Sequence, residues 1–432
     1  MKRLLMQQLI AWKAKEGKKP LIIRGVRQCG KTYLMKEFGR LHYDDVAYFS
    51  FEDTPALGEK FEPDLHPTRI IKELGILRNK TIKPEGTLII LDEIQQCGKA
   101  LTALKYFQEN NPEYNIICAG SLLGVSLSEK TSFPVGKVEF LTLRPLSFYE
   151  FLLADGRELL LESLRDGDEL TEQSAADLRR KLLDYYIVGG MPEAVLKWIT
   201  SGYNIDETEE IQKHILESYE VDFIKHAPAK DFPKLSAIWR AIPSQLAKEN
   251  SKFIFSQIKD SWRAKDLEDA LEWLIRAGLA IKVEKIEKPF IPLSAYADHK
   301  FFKLYMCDIG LLRVMAGLSP NAIYNISNIY TEFKGALVEN FALCELINIY
   351  GEAPYYWKSG GKAEVDFIVR DGEYIIPLEV KAGRATKAFS LKEYRNRYAP
   401  EKAFVTSMEL KLGTIPLFML WKIRDYVRYE II

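Results

Sequence analysis

The sequence predicts an α/β protein of more than one domain, on three observations. Residues 20–24 are a short apolar run. Gly25-Val26-Arg27-Gln28-Cys29-Gly30-Lys31-Thr32 follows it, and a helix-type run from Tyr33 to Phe38 comes next. Strand, glycine-bearing turn and helix in that order make a βα unit. Thr87-Leu-Ile-Ile-Leu-Asp92-Glu93 is an apolar run closed by two carboxylates, the reading of a strand buried on both faces. Between Ala363 and Lys381 two strand-type runs meet at Asp371-Gly372, and the second carries Glu379 and Lys381 in apolar surroundings. A chain of 432 residues is expected to hold about two to four domains at roughly 150 residues each.

The first unit carries the clearest chemistry. Gly, four residues, then Gly-Lys-Thr is the Walker A phosphate-loop pattern. Its glycines let backbone N–H groups turn onto phosphates, and the helix N-terminus adds partial positive charge. Gly25, Val26, Arg27, Gln28, Cys29 and Gly30 are therefore expected around the phosphates of ATP. Lys31 is expected on the terminal phosphates and Thr32 on Mg²⁺. Residues 46–51 read as a second strand and 68–80 as a helix. Residues 87–93 then read as a Walker B strand, with Asp92 expected to bind Mg²⁺ through water and Glu93 to orient and polarise the attacking water. A helix at 100–109, a short strand at 114–121 ending in a small polar residue and a strand at 138–143 complete the unit.

In the middle, Gly189-Gly190-Met191-Pro192-Glu193 lies in a helical region and also reads as a helix–helix corner. Helices at 234–250, 253–259 and 265–277 precede strands at 279–285 and 302–306, the pattern of a winged helix. Arg263 and Lys265 open its third helix, the DNA-reading position; a purely structural wing is the alternative.

The last third carries a second constellation. Residues 333–347 read as a helix bearing Glu339, 355–357 as a strand, 363–369 as a strand bearing Asp366, and 375–381 as its hairpin partner. Glu379 and Lys381 alternate with apolar neighbours and so share one strand face. Glu339, Asp366 and Glu379 are the expected metal ligands and Lys381 a catalytic lysine, because carboxylates can hold Mg²⁺ and a lysine can position a nucleophile. Lys381, Lys387, Lys392 and Arg395 are expected near a phosphate backbone. A surface Glu379–Lys381 pair is the alternative. An unpaired charge in so apolar a run costs several kcal/mol, about what a site would have to offset.

Taken together, residues 24–32, Leu91-Asp92-Glu93-Ile94-Gln95, Ala119-Gly120-Ser121, Gly136-Lys137-Val138 and Arg144-Pro145-Leu146-Ser147-Phe148 resemble one family. It is the prokaryotic AAA-type ATPases that carry a C-terminal domain of unknown function with a core resembling the PD-(D/E)xK nuclease fold. The resemblance covers essentially the whole chain. The family often has arginine where this chain has Lys137. It implies that Ser121 is sensor 1, touching the γ-phosphate or the water; a plain turn at Gly120-Ser121 is the alternative. The Gly-x-Pro turn is similar to that of signal-transducing ATPases, which implies Pro192 near the adenine. The expected architecture is a P-loop AAA-type ATPase core at 1–155, a helical lid at 156–228, a winged helix at 229–318 and an α/β nuclease-like domain at 319–432. The expected function is ATP binding and hydrolysis, with nucleotide state controlling the nuclease-like, nucleic-acid-interacting domain. A nucleotide-gated switch with a dead nuclease fold, and a DNA-binding regulator, are the alternatives.

Composition narrows the partners. Lys plus Arg and Asp plus Glu both number 60, so the net charge is zero and overall charge predicts no nucleic-acid partner. DNA or RNA would have to meet a local basic face; a protein partner or a second copy is the other expectation. The five cysteines are scattered, which argues for reduced thiols in a cytoplasm rather than a disulfide frame or zinc site. The N-terminal run reads as an amphipathic helix, not a signal peptide, and no apolar stretch approaches 18 residues, so no membrane span is expected.

Overall fold

The computed structural model describes residues 1–120, 134–248, 252–259, 261–324, 331–383, 389–411 and 413–428. It divides into two units, Met1–Arg144 with Arg276–Gly278, and Pro145–Ile275 with Leu279–Ile432.

The first unit is built on five parallel strands: β1 (Leu21–Arg24), β2 (Asp45–Ser50), β3 (Thr87–Asp92), β4 (Asn115–Ala119) and β5 (Glu139–Thr142). Their order is β2-β3-β4-β1-β5. Every residue of β3 is buried, as a parallel strand covered by helices on both faces requires. The helices are α1 (Leu5–Ala14), α2 (Lys31–His42), α3 (Pro67–Leu77) and α4 (Gly98–Asn110). Ile70 and Leu74 of α3 and Leu104 and Phe107 of α4 join Ile89, Leu91, Ile116 and Cys118 in one core. Helix α3 starts at Pro67 because its missing N–H lies where a helix leaves donors unpaired anyway.

The strand order positions the site. β1 pairs with β4 and β5, while β3 pairs with β2 and β4. The strand that feeds the glycine turn and the strand that ends in Asp92 are thus separated by one strand, and both deliver their C-terminal ends to the same edge. That edge is where ligands sit in open α/β sheets.

The second unit combines helices with a seven-stranded sheet. Its strands are β6 (Ala280–Ile286), β7 (Ala297–Met306), β8 (Tyr355–Lys358), β9 (Glu364–Asp371), β10 (Tyr374–Lys381), β11 (Phe404–Ser407) and β12 (Ile415–Pro416). The order is β12-β11-β10-β9-β8-β6-β7. β8, β9 and β10 form an antiparallel meander, and β11 lies parallel to β10 after the helix Phe389–Tyr398. The turn of the β9–β10 hairpin falls at Gly372, in the left-handed region at φ 62°, as the Asp-Gly signal predicts.

Two expectations for the middle of the chain change here. The expected wing strands do form an antiparallel pair, but β6 also pairs in parallel with β8, through Lys285–Tyr356 and Ile286–Trp357. The hairpin is the edge of the large sheet rather than a free-standing wing. The helix expected at 253–259 is a short 3₁₀ turn, Phe255–Gln257. Phe253 N–H donates to Phe302 O at 2.9 Å, so this segment leans on β7 and its first residues are extended. The flanking helices are Phe232–Leu246 and Ala264–Arg276.

Candidate functional sites: a phosphate loop and a buried carboxylate cluster

The glycine turn has the backbone its sequence demands. Gly25 has φ 151° and Gly30 φ 92°, while Gln28 is held at φ 64°. A Cβ on Gly25 would lie 2.1 Å from the Leu143 carbonyl oxygen, so only glycine fits there. Gly30 precedes the first residue of α2, which places the N-terminal N–H groups of that helix at the loop. Lys31 is buried, and its ammonium donates to Gly25 O at 3.0 Å and Val26 O at 2.8 Å. The ammonium therefore lies across the mouth of the loop, within its reach.

The end of the glycine turn and the end of β3 come into contact. Thr32 Oγ1 donates to Asp92 Oδ2 at 2.6 Å. Tyr48 of β2 donates to the same oxygen at 3.1 Å. Burial and the Asp92 carboxylate together push the Tyr48 hydroxyl up to about 12. A hydroxyl and a carboxylate facing each other at the end of the sheet suit a hydrated divalent cation. Mg²⁺ held there by Thr32 and Asp92 would neutralise phosphate charge. Glu93, the next residue, is in the left-handed region at φ 50° and ψ 43°. A non-glycine residue there costs about 1 kcal/mol or more and recurs at functional sites. Its Oε2 accepts from Gln95 Nε2.

Sequence reasoning missed Tyr48 and Arg3. Arg3 is buried, donating to Cys29 O at 2.9 Å and Arg144 O at 2.5 Å. It braces the phosphate loop from behind. A lone arginine in an amphipathic N-terminal run gives no signal of this. Ser121 lies outside the described residues. Lys137 pairs with Glu109 at 2.9 Å on the surface. Pro192 opens the helix Pro192–Thr200 in the second unit. There the Gly189-Gly190 corner is packed tightly: Gly190 N–H donates to Asp308 Oδ2 at 2.6 Å, and a Cβ on Gly190 would lie 2.1 Å from Leu146 O.

A family model described as an AAA domain matches residues 17–152. With the parallel sheet, the phosphate loop and the Thr32–Asp92 contact already in place, the assignment of this unit is decided. Residues 17–152 are a P-loop ATPase domain of the AAA type. Two further family models, each described as a domain of unknown function, match residues 179–322 and 334–417. Among solved structures, the chain is similar to a Walker-type ATPase of Pyrococcus abyssi at 14% identity and TM-score 0.46, over 73% of this chain and 95% of that one. It is similar to AMPPCP-bound DnaA from Aquifex aeolicus at 16% identity and TM-score 0.26, over 62% and 75%. Thermotoga maritima RuvB gives 16% identity and TM-score 0.29, over 64% and 86%. No curated protein matches the chain. No helix among the described residues is long and apolar enough to cross a membrane.

Beyond the ATPase domain, each carboxylate of the expected C-terminal constellation has protein partners. Glu379 is buried on β10; its Oε2 accepts from Leu391 N–H at 3.1 Å and its Oε1 pairs with Lys381. Asp366 on β9 accepts from Val380 N–H at 2.7 Å. Glu339 on the helix Thr331–Tyr350 accepts from Tyr305 Oη at 3.0 Å. Between Glu339 and Glu364 stands a residue not foreseen, Lys303 of β7. It is 1% exposed. Its ammonium lies 2.7 Å from Glu364 Oε1 and 3.5 Å from Glu339 Oε2. Lys358 reaches the other oxygen of Glu364 at 2.9 Å.

The electrostatics follow the geometry. Burial, reinforced by Glu339, pushes Asp366 up to about 8. Burial works against the Lys303 charge, yet Glu339, Tyr305, Glu364 and Asp366 hold its ammonium above the ordinary lysine range. Burial works against the Glu364 charge, yet Lys303 and Lys358 together hold it below the usual carboxylate range. Among the described residues no three His, Cys, Asp or Glu side chains are placed to hold a metal ion together. Of the expected basic residues, Lys387 lies outside the described residues, Lys392 is exposed and Arg395 donates to Ala403 O at 2.8 Å. Arg263 and Lys265 are exposed where the helix Ala264–Arg276 begins.

Lys303 and Tyr305 did leave a trace in the sequence. Lys303 and Tyr305 sit two apart among Phe302, Leu304 and Met306, the same polar alternation in an apolar strand that singled out Glu379 and Lys381.

Proposed function

We propose that this protein binds and hydrolyses ATP, and that its nucleotide state controls a C-terminal nuclease-like domain that engages nucleic acid. The observation that carries the ATPase reading is the Thr32–Asp92 contact of 2.6 Å beside a buried Lys31. It joins the two Walker motifs around one small volume at the edge of the sheet. In this reading Lys31 binds the terminal phosphates, and Thr32 and Asp92 hold the Mg²⁺ that neutralises their charge. Glu93 orients the attacking water, and Ser121 and Pro192 take the sensor and adenine positions. Holding and releasing contacts around the γ-phosphate would then switch the rest of the chain.

What supports the nuclease-like reading of the C-terminal third is its element order. The helix Thr331–Tyr350 precedes β8–β9–β10, and the helix Phe389–Tyr398 precedes β11. Asp366 and the Glu379-x-Lys381 pair lie on adjacent antiparallel strands. A second reading, in which this domain binds without cutting, is favoured by the buried Lys303 among the carboxylates. Regulation through the winged-helix region would rest on Arg263 and Lys265.

Replacing Lys31 by alanine removes the cation from the terminal phosphates, so ATP binding measured by calorimetry should be lost. Glu93→Gln should bind ATP as the wild type does and release phosphate at least a hundredfold more slowly, since general-base loss costs about 10²–10⁴ in rate. Unchanged affinity in the first variant, or wild-type turnover in the second, would overturn these roles.

A further inference from the structure

We propose that the ammonium of Lys303 is the resident cation of the Glu339–Glu364–Asp366 cluster, occupying the place of a divalent metal, so that the native chain binds no divalent ion there. A cluster of carboxylates in a half-buried sheet needs positive charge. Two chemistries supply it: a metal held by the oxygens, or a lysine placed among them. This chain has taken the second.

Three observations carry this. The ammonium is at salt-bridge distance from Glu364 and within 3.5 Å of Glu339, on a side chain 1% exposed. Burying an ammonium is costly unless it is paired on several sides, and here it is. The carboxylates are also held by other donors. Tyr305 Oη donates to the same Glu339 Oε2 that faces Lys303, Lys358 to Glu364 Oε2 and Val380 N–H to Asp366 Oδ2. Mg²⁺ needs oxygens at about 2.0–2.1 Å in a near-octahedral shell, and an ammonium among the same oxygens excludes that shell by volume and by charge. Lastly, Glu379, the remaining carboxylate of the expected set, is bonded instead to Lys381 and Leu391 N–H.

The position of Lys303 in the chain explains how this arises. Lys303 does not belong to the β8–β10 meander. It comes from β7, in the hairpin that extends the sheet beyond β8. The hairpin therefore brings its own cation to the carboxylates of its neighbour.

The test uses the full chain free of nucleotide, with Mn²⁺ as the probe, followed by calorimetry and by the loss of the free-ion electron-spin signal. Wild type and Asp366→Asn should bind Mn²⁺ indistinguishably. Wild-type binding that Asp366→Asn weakens tenfold or more would overturn the proposal. Lys303→Met should leave the carboxylates without their cation and lower the melting temperature by several degrees or more; a folded Lys303→Met as stable as the wild type would overturn the role of Lys303 as their cation. If Lys303→Met does not fold, the wild-type and Asp366→Asn comparison still decides. ATP affinity at the phosphate loop should be the same in all folded variants, which separates failure here from failure of the ATPase reading.

Discussion

At the scale of single residues, Gly25 is the most constrained position of the phosphate loop. Its φ of 151° and the 2.1 Å that would separate a Cβ from Leu143 O leave no room for any side chain. Alanine there must push the loop off the end of β5 or twist it out of shape. Gly25→Ala should therefore weaken ATP binding by calorimetry at least tenfold and lower the melting temperature by several degrees. Wild-type values for both would mean that the loop does not rest on Leu143 as described. The motif spacing made the loop legible, because glycine and lysine at fixed intervals state a backbone requirement directly. Arg3 was not legible. Its partners are carbonyls 26 and 141 positions away, and a carbonyl has no signature in sequence.

At the scale of elements, the helix Phe148–Ala154 shows how a buried acid can tie two distant segments. Ser147 and Glu150 form a capping box at its start. The Phe148 N–H donates to Glu345 Oε1, at 2.9 Å, from the helix Thr331–Tyr350. Burial, with Glu150 adding to it, pushes Glu345 up to about 8 from an ordinary 4.5. The folded chain thus holds this proton more tightly than the unfolded one. Its stabilising contribution is complete below about pH 4.5 and is lost as pH rises toward 8, at up to about 1.4 kcal/mol per pH unit. Glu345→Gln keeps an acceptor for Phe148 and has no proton to lose. Its melting temperature should fall less than that of the wild type between pH 5 and 8.5, and be higher at 8.5; parallel curves would refute the assignment. Sequence patterning located the strands Leu21–Arg24, Thr87–Asp92 and Tyr374–Lys381 to within a few residues but misjudged the helix at 253–259 and the β6–β7 hairpin. Amphipathic alternation marks a strand and not its neighbour, and the pairing of Lys285 with Tyr356 joins residues 71 positions apart.

At the scale of the whole molecule, 60 positive and 60 negative side chains cancel, so no long-range field draws in nucleic acid and any affinity must come from a local face. With Lys303 as the cation of the acidic cluster, full-length protein should cleave neither DNA nor RNA in Mg²⁺ or Mn²⁺, with or without ATP. Asp366→Ala/Lys381→Ala should behave the same. Cleavage by the wild type that the double variant loses would show the cluster to be a catalytic metal site. The seven-stranded sheet has one more consequence. The two domains of unknown function match 179–322 and 334–417, yet β6 and β7 of the first and β8–β12 of the second are rungs of one ladder. A gene split between those regions would give one product with an unpaired strand edge and a stranded ammonium, and another with uncompensated carboxylates. Neither half would make a viable separate cassette, so the two regions are expected to be inherited, duplicated and lost together.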